Sequence, residues 1–182
     1  MAVGKVSFPI MHPVAGVELG TTCAGIKQQV KDDLLLVQMV ESSTCAAVFT
    51  QNAFCAAPVT VAREHLNHQP RWLLVNSGNA NAGTGKQGLQ DALQSCDDVA
   101  QAVSGDARQV LPFSTGVIGQ LLPIHKITAA VPAAIKQFSV DNWSKASKAI
   151  MTTDTFPKGV SSLLEIEVRQ ITITGIAKGA GM

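Results

Sequence analysis

The chain has 182 residues, of which 46% are hydrophobic and 15% are charged, and its formal net charge is +1. This balance argues against a protein that binds nucleic acid by neutralising phosphates, and an aromatic content of 4% with no tyrosine argues against base stacking. The length suits a single domain, 1–182, and the small charged fraction indicates that a partner covers part of the surface.

The cysteine pattern and the hydropathy pattern bear on location. The chain has four cysteines, Cys23, Cys45, Cys55 and Cys96, with no CxxC pair and no metal-like spacing to histidine. We interpret them as buried thiols in a reducing cytosol. Residues 1–13 lack the apolar segment of a secretion signal, and no run of 18 apolar residues occurs. The sequence therefore predicts a cytoplasmic protein with no membrane span.

Strands dominate the predicted first part of the chain. Residues 34–40 and 46–50 are apolar segments separated by the turn-like "ESST", and 57–66 suit a short strand that leads into a helix. The run "RWLLVNSG" (71–78) is continuously apolar until it ends in Asn-Ser-Gly. That pattern indicates a central strand buried on both faces.

Helices follow in the middle of the chain. Apolar residues recur at helical spacing over 89–103, and Gly105 lies just past the end as a C-cap. A short helix is predicted over 124–130, and another over 132–138, with the proline in its first turn. A further helix is predicted over 141–150, with Asp141 as its N-cap.

The remaining strands give the fold class. Residues 110–119 are strand-like and then glycine-rich, while 161–168 and 171–177 form two final strands. In the first of these two, Leu164 and Ile166 alternate with polar residues, so we expect them to face a core. Strands and helices mix without strict alternation, which predicts an α+β domain of packed sheet and helix layers.

Three segments could carry chemistry, and the first is "NSGNANAGTGKQG" (76–88). Glycines between a strand and a helix are typical of phosphate-binding loops. However, Gly78 and Gly83 have P-loop spacing without the lysine that should follow, since Thr84 occupies that position. The alternative is a tight turn bonded by its own asparagine side chains, which the failed spacing favours over a nucleotide site.

The second segment is "FSTGVIG" (113–119). Here the Thr115 hydroxyl and the Gly116 N–H can point to one place, which is how an oxyanion hole is built. An ordinary turn after a strand has the same composition, so the motif alone leaves both interpretations open.

The third segment is "AKGAGM" (177–182), in which small residues flank Lys178 beside a strand. Little would shield this lysine from a neighbouring cavity, although most lysines are solvated surface charges. In "MTTDT" (151–155), Thr152 or Thr153 could bind a ligand or cap a helix end. We interpret the four histidines as surface or capping residues, because no serine–histidine–aspartate set can be picked out.

Taken in order, "NSGNANAGTG", "STGVIG", "AIMTTDTFPK" and "KGAGM" resemble the motifs of the ornithine acetyltransferase family, also called the glutamate N-acetyltransferase family, of arginine biosynthesis. The similarity extends from "GVELGTTCAGIK" to Met182. Each motif alone is modest, but four in this order and spacing are specific.

The resemblance implies that this chain is the α chain of a precursor that cuts itself in front of a threonine, which then begins a β chain. It implies an α/β sandwich in which both chains share one core, like that of self-processing aminopeptidases. It also implies an (αβ)₂ heterotetramer. The abrupt end of the sequence after a core strand would then be the edge of a partner's structure.

The implied reaction moves an acetyl group from N-acetylornithine to glutamate through an acetyl-threonine on the β chain. Thr115 and Gly116 match the family's oxyanion hole, and Thr152 matches the first threonine of its substrate-binding "TTD" stretch. Lys178 matches its substrate-binding lysine. No metal and no cofactor are expected, although acetyl-CoA serves some members as a co-substrate.

Three alternatives stay open on the sequence. A related self-processing amidase or aminopeptidase would release the acyl group to water instead of to glutamate. A metabolite-binding module would use the asparagine-rich segment and have no catalysis. A purely structural partner would leave all chemistry to the β chain.

Overall fold

A computed structural model describes residues 7–179 of the chain. The described residues form six strands: β1 (Val17–Thr22), β2 (Leu34–Met39), β3 (Trp72–Asn79), β4 (Val110–Val117), β5 (Lys158–Ile166) and β6 (Arg169–Ala177). Four α-helices lie between them: α1 (Ala57–His65), α2 (Gly85–Val103), α3 (Ile124–Lys136) and α4 (Trp143–Ala149). Strands and helices in this mixture confirm the predicted α+β class.

The main sheet has the strand order β1-β2-β3-β4. The first two pairings are antiparallel and β3–β4 is parallel, because α2 supplies the crossover that a parallel pair needs. The carboxyl ends of β3 and β4 therefore lie at the same edge of the sheet. In register, Ser77 pairs with Thr115 and Gly78 pairs with Gly116.

One side of the main sheet, the closed face, is covered by α1, α2 and α3. Its strand residues are Leu34, Leu36, Trp72, Leu74 and Val110, all of them buried. Helix residues that include Val61, Cys96 and Ile127 pack against them, each no more than 2% exposed. This cluster is the main hydrophobic core.

The other side, the open face, carries Leu19, Leu35, Val37, Leu73 and Val75. Among residues 7–179, the short helix α4, the end of β6 and the segment before β1 pack against it, through residues such as Trp143, Ile176 and Val14. Strand alternation sends adjacent residues of β2 to opposite faces. Both faces are equally apolar in sequence, but the open face is covered less.

Strands β5 and β6 form a hairpin in register from Lys158–Ala177 to Ile166–Arg169. Its inner face packs near residues 8–12, where Ser161 and Thr174 bond the backbone of His12. Its outer face carries apolar residues that remain exposed: Val160, Leu164, Ile166, Ile171 and Ile173. The expectation that Leu164 and Ile166 face a core is therefore wrong within this chain, since nothing in the described residues covers them.

The predicted strands over 34–40, 71–78, 110–119, 161–168 and 171–177 are present with shifted ends. The strand predicted over 46–50 is wrong, because Val48 is fully exposed there and no strand pairs with it among residues 7–179. The segment 57–66 starts directly as helix α1, since its proline fits the first turn. Strand β1 was not predicted.

Two helix ends differ from the sequence prediction. Helix α2 begins at Gly85, and its left-handed C-terminal residue is Ser104 (φ 55°), not Gly105. Gly105 is needed for packing instead, because a Cβ there would lie 2.6 Å from the Trp72 ring. The predicted N-cap Asp141 is exposed, and the capping position belongs to Asn142, whose amide donates to the carbonyls of Leu19 and Gln137 at 2.9 and 2.7 Å.

The separate helices predicted over 124–130 and 132–138 are one helix, α3, with Pro132 inside it. Proline in a helix interior removes a hydrogen bond and costs about 3 kcal/mol. The helix continues because Ile127, Val131 and Ala134 form one unbroken buried stripe on the closed face. Tertiary packing outweighs the local preference here.

Candidate active site

The asparagine-rich segment after β3 is a turn bonded by its own side chains, as the spacing favoured. Asn79 accepts from the Asn81 N–H at 2.7 Å and donates to the carbonyls of Gln120 and Leu121, both at 3.1 Å. Asn81 is fully buried and accepts from the Thr84 hydroxyl at 2.8 Å. These bonds occupy the Asn79, Asn81 and Thr84 side chains, so the segment braces the edge of the sheet.

Thr115 and Gly116 lie near the carboxyl end of β4, beside this braced turn. Gly116 has φ 140°, a conformation that favours glycine, and a Cβ there would collide with the backbone of Gly78 and Asn79. Alternation along β4 turns the Thr115 side chain to the open face, while the hydroxyl of its neighbour Ser114 donates to Asn76 at 2.6 Å. The braced turn thus lies against the backbone that carries Thr115 and Gly116.

Lys178 reaches the same point from the end of β6. Its Nζ donates to Thr115 Oγ1 at 2.5 Å, across 63 residues of sequence. Because the threonine oxygen accepts from a cation, its own hydrogen remains available to donate to a further group. The structure therefore brings two of the sequence-predicted residues together as a polarised hydroxyl.

A cavity of about 620 Å³ opens next to this pair. Thr115 and Lys178 lie at its polar rim, and its walls are residues of the open face with Phe113 and Trp143. Electrostatic interactions with a charge that develops at such a rim become stronger once water is excluded. In this chain alone the rim is open, with Gly116 exposed and Thr115 half-buried.

Thr152 does not join this group. It is exposed and lines a different groove of about 450 Å³, together with lysines that include Lys27 and Lys148. The Lys27 ammonium donates to the carbonyls of Asp32 and Ala149, and burial lowers the pKa of Lys27. The substrate-binding role expected for Thr152 stays a prediction.

Asp154 connects the two regions and was not singled out from the sequence. Its carboxylate accepts from Lys158 Nζ at 2.5 Å, from the Gly179 N–H at 2.6 Å and from the Thr152 N–H at 3.3 Å. Burial alone would raise the pKa of Asp154, but these hydrogen bonds outweigh burial and hold the pKa at about 2. The signal in the sequence was the "TTD" triplet, in which only the threonines were considered.

The cysteine and histidine predictions are partly wrong. All four cysteines are free thiols, but only Cys96 is buried, and Cys23 is exposed. His65 is not a surface residue, since its ring is buried with Nδ1 2.8 Å from the Val110 carbonyl, and although it precedes the 3-10 turn Leu66–His68, its side chain makes no capping bond there.

Over residues 7–179, no three His, Cys, Asp or Glu side chains cluster as metal ligands. No helix in that range is long and apolar enough to cross a membrane.

Known sequences resemble this chain over its whole length. Residues 18–182 match the model of the ArgJ family. An arginine biosynthesis bifunctional protein ArgJ from Methylococcus capsulatus is 62% identical over 93% of this chain, and one from Pseudomonas syringae is 52% identical over all of it. The chain covers 42% and 45% of those two proteins, so it spans about half the length of the curated relatives it matches.

Solved structures share the fold. An ornithine acetyltransferase from Mycobacterium tuberculosis, solved in complex with ornithine, has a TM-score of 0.84 and is 35% identical. The match covers 95% of this chain and 92% of that one. An ArgJ structure from Bacillus halodurans gives the same TM-score at 32% identity, with 93% of this chain and 89% of the other covered. By sequence and by structure, the chain belongs to the ArgJ family.

Proposed function

We propose that this chain is the α subunit of an acetyltransferase that moves the acetyl group of N-acetylornithine to glutamate, as a step of arginine biosynthesis. The observation that carries the proposal is the contact between Lys178 and Thr115 at the rim of the open face. Membership of the ArgJ family and the likeness to an ornithine acetyltransferase that binds ornithine support it.

In the proposed mechanism, the nucleophile is the first threonine of a β chain cut from the same precursor. Its hydroxyl forms a C–O bond to the acetyl carbon, the amide C–N bond of N-acetylornithine breaks, and the hydroxyl proton passes through the threonine α-amine to the leaving ornithine. The amine of glutamate then attacks the ester, which forms N-acetylglutamate and returns a proton to the threonine oxygen.

This chain supplies the groups that stabilise negative charge. The Thr115 hydroxyl, with Lys178 on its oxygen, and the Gly116 N–H donate to the oxyanion that develops in both steps. Lys178, together with Thr152, also binds substrate, since an ammonium group suits an amino-acid carboxylate. No metal or cofactor takes part in the proposed steps.

The partner belongs to the same proposal. The apolar outer face of the β5–β6 hairpin and the wide cavity on the open face need a covering structure. The relatives are about twice as long as this chain, whereas the two solved chains are matched over 89% and 92% of their length. Both observations support a precursor that yields an α and a β chain with a shared core. That two such pairs assemble as (αβ)₂ is part of the proposal and follows from the family resemblance alone.

The first experiment is intact-mass and N-terminal analysis of the purified full-length precursor. Two co-purifying chains, the second beginning with threonine, are expected. An uncut precursor with full transferase activity would contradict the proposed nucleophile. We further propose that the enzyme works in the cytoplasm, where an exposed thiol such as Cys23 stays reduced.

The role of Thr115 is tested with Thr115→Ala in the full-length protein. Loss of one oxyanion donor lowers kcat by about 10²–10³. Ser114→Ala is the matched control, because it removes an adjacent hydroxyl at the same cavity, but one that already donates to Asn76 at 2.6 Å. We expect it to lower stability by about 1 kcal/mol and to leave kcat nearly unchanged.

The assay measures N-acetylglutamate from N-acetylornithine and glutamate, with rates divided by the cleaved fraction. A Thr115→Ala protein that retains more than about a third of the kcat would contradict the oxyanion role. Release of acetate without N-acetylglutamate would identify an amidase instead. A parallel reaction with acetyl-CoA tests a second acyl donor, which the word bifunctional in the relatives' names supports.

A further inference from the structure

Asp154 is a buried carboxylate that joins three segments of the chain. Its side chain has 0% exposed area, and it accepts from the side chain of Lys158 and from the N–H groups of Thr152 and Gly179. Lys158 begins β5 and pairs in register with Ala177 at the end of β6. The carboxylate therefore ties the turn after α4 to both strands of the hairpin.

The bond to Gly179 acts directly on Lys178. The Gly179 N–H belongs to the peptide that follows Lys178, so holding it fixes the backbone on the carboxyl side of that lysine. Gly179 has φ 139°, a conformation that favours glycine, so another residue there would strain the backbone that carries this N–H. From this anchored backbone the Lys178 side chain reaches Thr115 Oγ1.

A long flexible ammonium side chain loses conformational freedom when it is held in one place. Lys178 itself lies in an exposed setting, so its own surroundings restrain it little. The restraint on Lys178 comes from the adjacent Gly179 N–H, which Asp154 holds. The pair of Asp154 and Lys158 is less exposed than Lys178. Lys158 also lies 4.9 Å from the Phe156 ring centroid, and this contact helps to hold the Asp154 carboxylate in place.

We propose that Asp154 is a positioning residue, which holds the Gly179 N–H and thereby aims the Lys178 ammonium at the Thr115 hydroxyl and at the substrate carboxylate. This inference rests on the proposed function of Lys178 and Thr115. It assigns Asp154 no contact with substrate. Its effect on the reaction passes through Lys178.

A double-mutant cycle in the full-length protein tests the inference. The variants are Asp154→Asn, Lys178→Met and the two together, assayed for transfer from N-acetylornithine to glutamate with rates divided by the cleaved fraction. Asp154→Asn is expected to lower kcat/KM about tenfold, mainly through KM, because a displaced binding group costs at least that much. In the Lys178→Met background the same change is expected to cost less than about twofold.

Asp106→Asn is the matched control. Like Asp154, Asp106 accepts from a backbone N–H and from a cationic side chain, both of which belong to Arg108. Asp106 precedes β4 and therefore lies at the end of that strand that is away from Thr115. Asp106→Asn should leave kcat and KM unchanged. Thermal unfolding of each variant separates a lost fold from a misplaced lysine.

The outcomes separate this inference from the proposed function. If Lys178→Met leaves kcat/KM intact, the proposed role of Lys178 is wrong. If Lys178→Met impairs transfer and Asp154→Asn lowers kcat/KM by the same factor with and without Lys178→Met, the positioning role is overturned. If Asp154→Asn does not fold, Asp154→Glu replaces it. Asp154→Glu is expected to raise KM by a smaller factor, and this rise must vanish in the Lys178→Met background. A rise in KM that persists in that background overturns the inference.

Discussion

The two faces of the main sheet are built from the same kinds of residue and are covered very differently. On the closed face, α1, α2 and α3 bury the strand side chains completely. On the open face, α4 and the end of β6 leave a cavity of about 620 Å³ above equally apolar strands. Composition therefore does not distinguish the faces, and the difference lies in what this chain supplies to cover them.

The candidate chemistry lies on the open face. Thr115 and Lys178 meet at the rim of the cavity, and strand alternation directs Thr115 to that side. Hydrogen bonds to a developing oxyanion are strongest where water is excluded. If another chain covered the open face, it would also exclude water from Thr115 and Lys178. Assembly and activity would then be linked.

Adjacent leucines of β3 give the sharpest test of this comparison. Leu74→Ala, on the closed face, should lower the free energy of unfolding by about 2–5 kcal/mol, because Leu74 is buried in this chain. Leu73 is only partly buried in this chain and lines the open-face cavity. If the rest of the protein fills that cavity, Leu73→Ala in the full-length protein should cost a similar amount.

Urea unfolding of the full-length protein and of both variants measures the two losses. A loss below about 1 kcal/mol for Leu73→Ala, next to a large loss for Leu74→Ala, would mean that the open face stays open and that no core is shared.

Cysteine reactivity gives a second test, of the closed face alone. Burial raises the pKa of the Cys96 thiol to about 12, so hardly any reactive thiolate forms. Cys23, in the loop after β1, is exposed. In native protein treated with iodoacetamide, mass spectrometry should show Cys96 modified at least about 10³-fold more slowly than Cys23, since reaction requires the core to open. Rates within tenfold of each other would show that the closed face opens readily.

The closed face could be predicted well from the sequence. Helical spacing over α2 and the apolar run of β3 are local patterns that tertiary structure reinforces. The misses occurred where long-range packing decides, as in α3, which continues through the exposed Pro132 because Ile127, Val131 and Ala134 are buried against the sheet. Strand β1 was missed because its short, threonine-rich sequence gains its strand geometry from pairing with β2.

The open face could be predicted less well, for a physical reason. The alternation in β5 is real, but Leu164 and Ile166 are exposed because nothing in residues 7–179 packs on them. At the site, the motifs predicted Thr115, Gly116, Thr152 and Lys178. The structure brings Thr115 and Lys178 together and places Thr152 in a separate groove, and the roles of all four stay predictions. Asp154 was missed because a carboxylate that bonds backbone N–H groups far along the chain leaves no periodic signal.

The smallest expected effect compares two aspartates in acid. The pKa of Asp154 is about 2, and that of Asp106, which accepts from Arg108, is also about 2. A lowered pKa in the folded state stabilises the protein above the ordinary aspartate pKa of about 3.9, and that contribution is lost as the pH falls to about 2. Stability should therefore decline across this interval, and Asp154→Asn should flatten the decline.

Asp106→Asn should flatten the decline less, because the Asp106–Arg108 pair is solvent-exposed and screened, whereas the Asp154 side chain is buried beside Lys158. Asp32 lines the groove next to Asp154, so Asp32→Asn is the control for a neighbouring carboxylate. Urea unfolding between pH 5 and 2, with and without about 0.5 M NaCl, measures how steeply the free energy of unfolding falls with pH in each protein. Salt should strongly weaken only the contribution of Asp106 to that free energy. If the stability of Asp154→Asn and that of the unsubstituted protein decline in parallel, the Asp154 carboxylate does not hold the hairpin end. Under the proposed function, the position of Lys178 at the rim of the open face would then have to be set by the β chain.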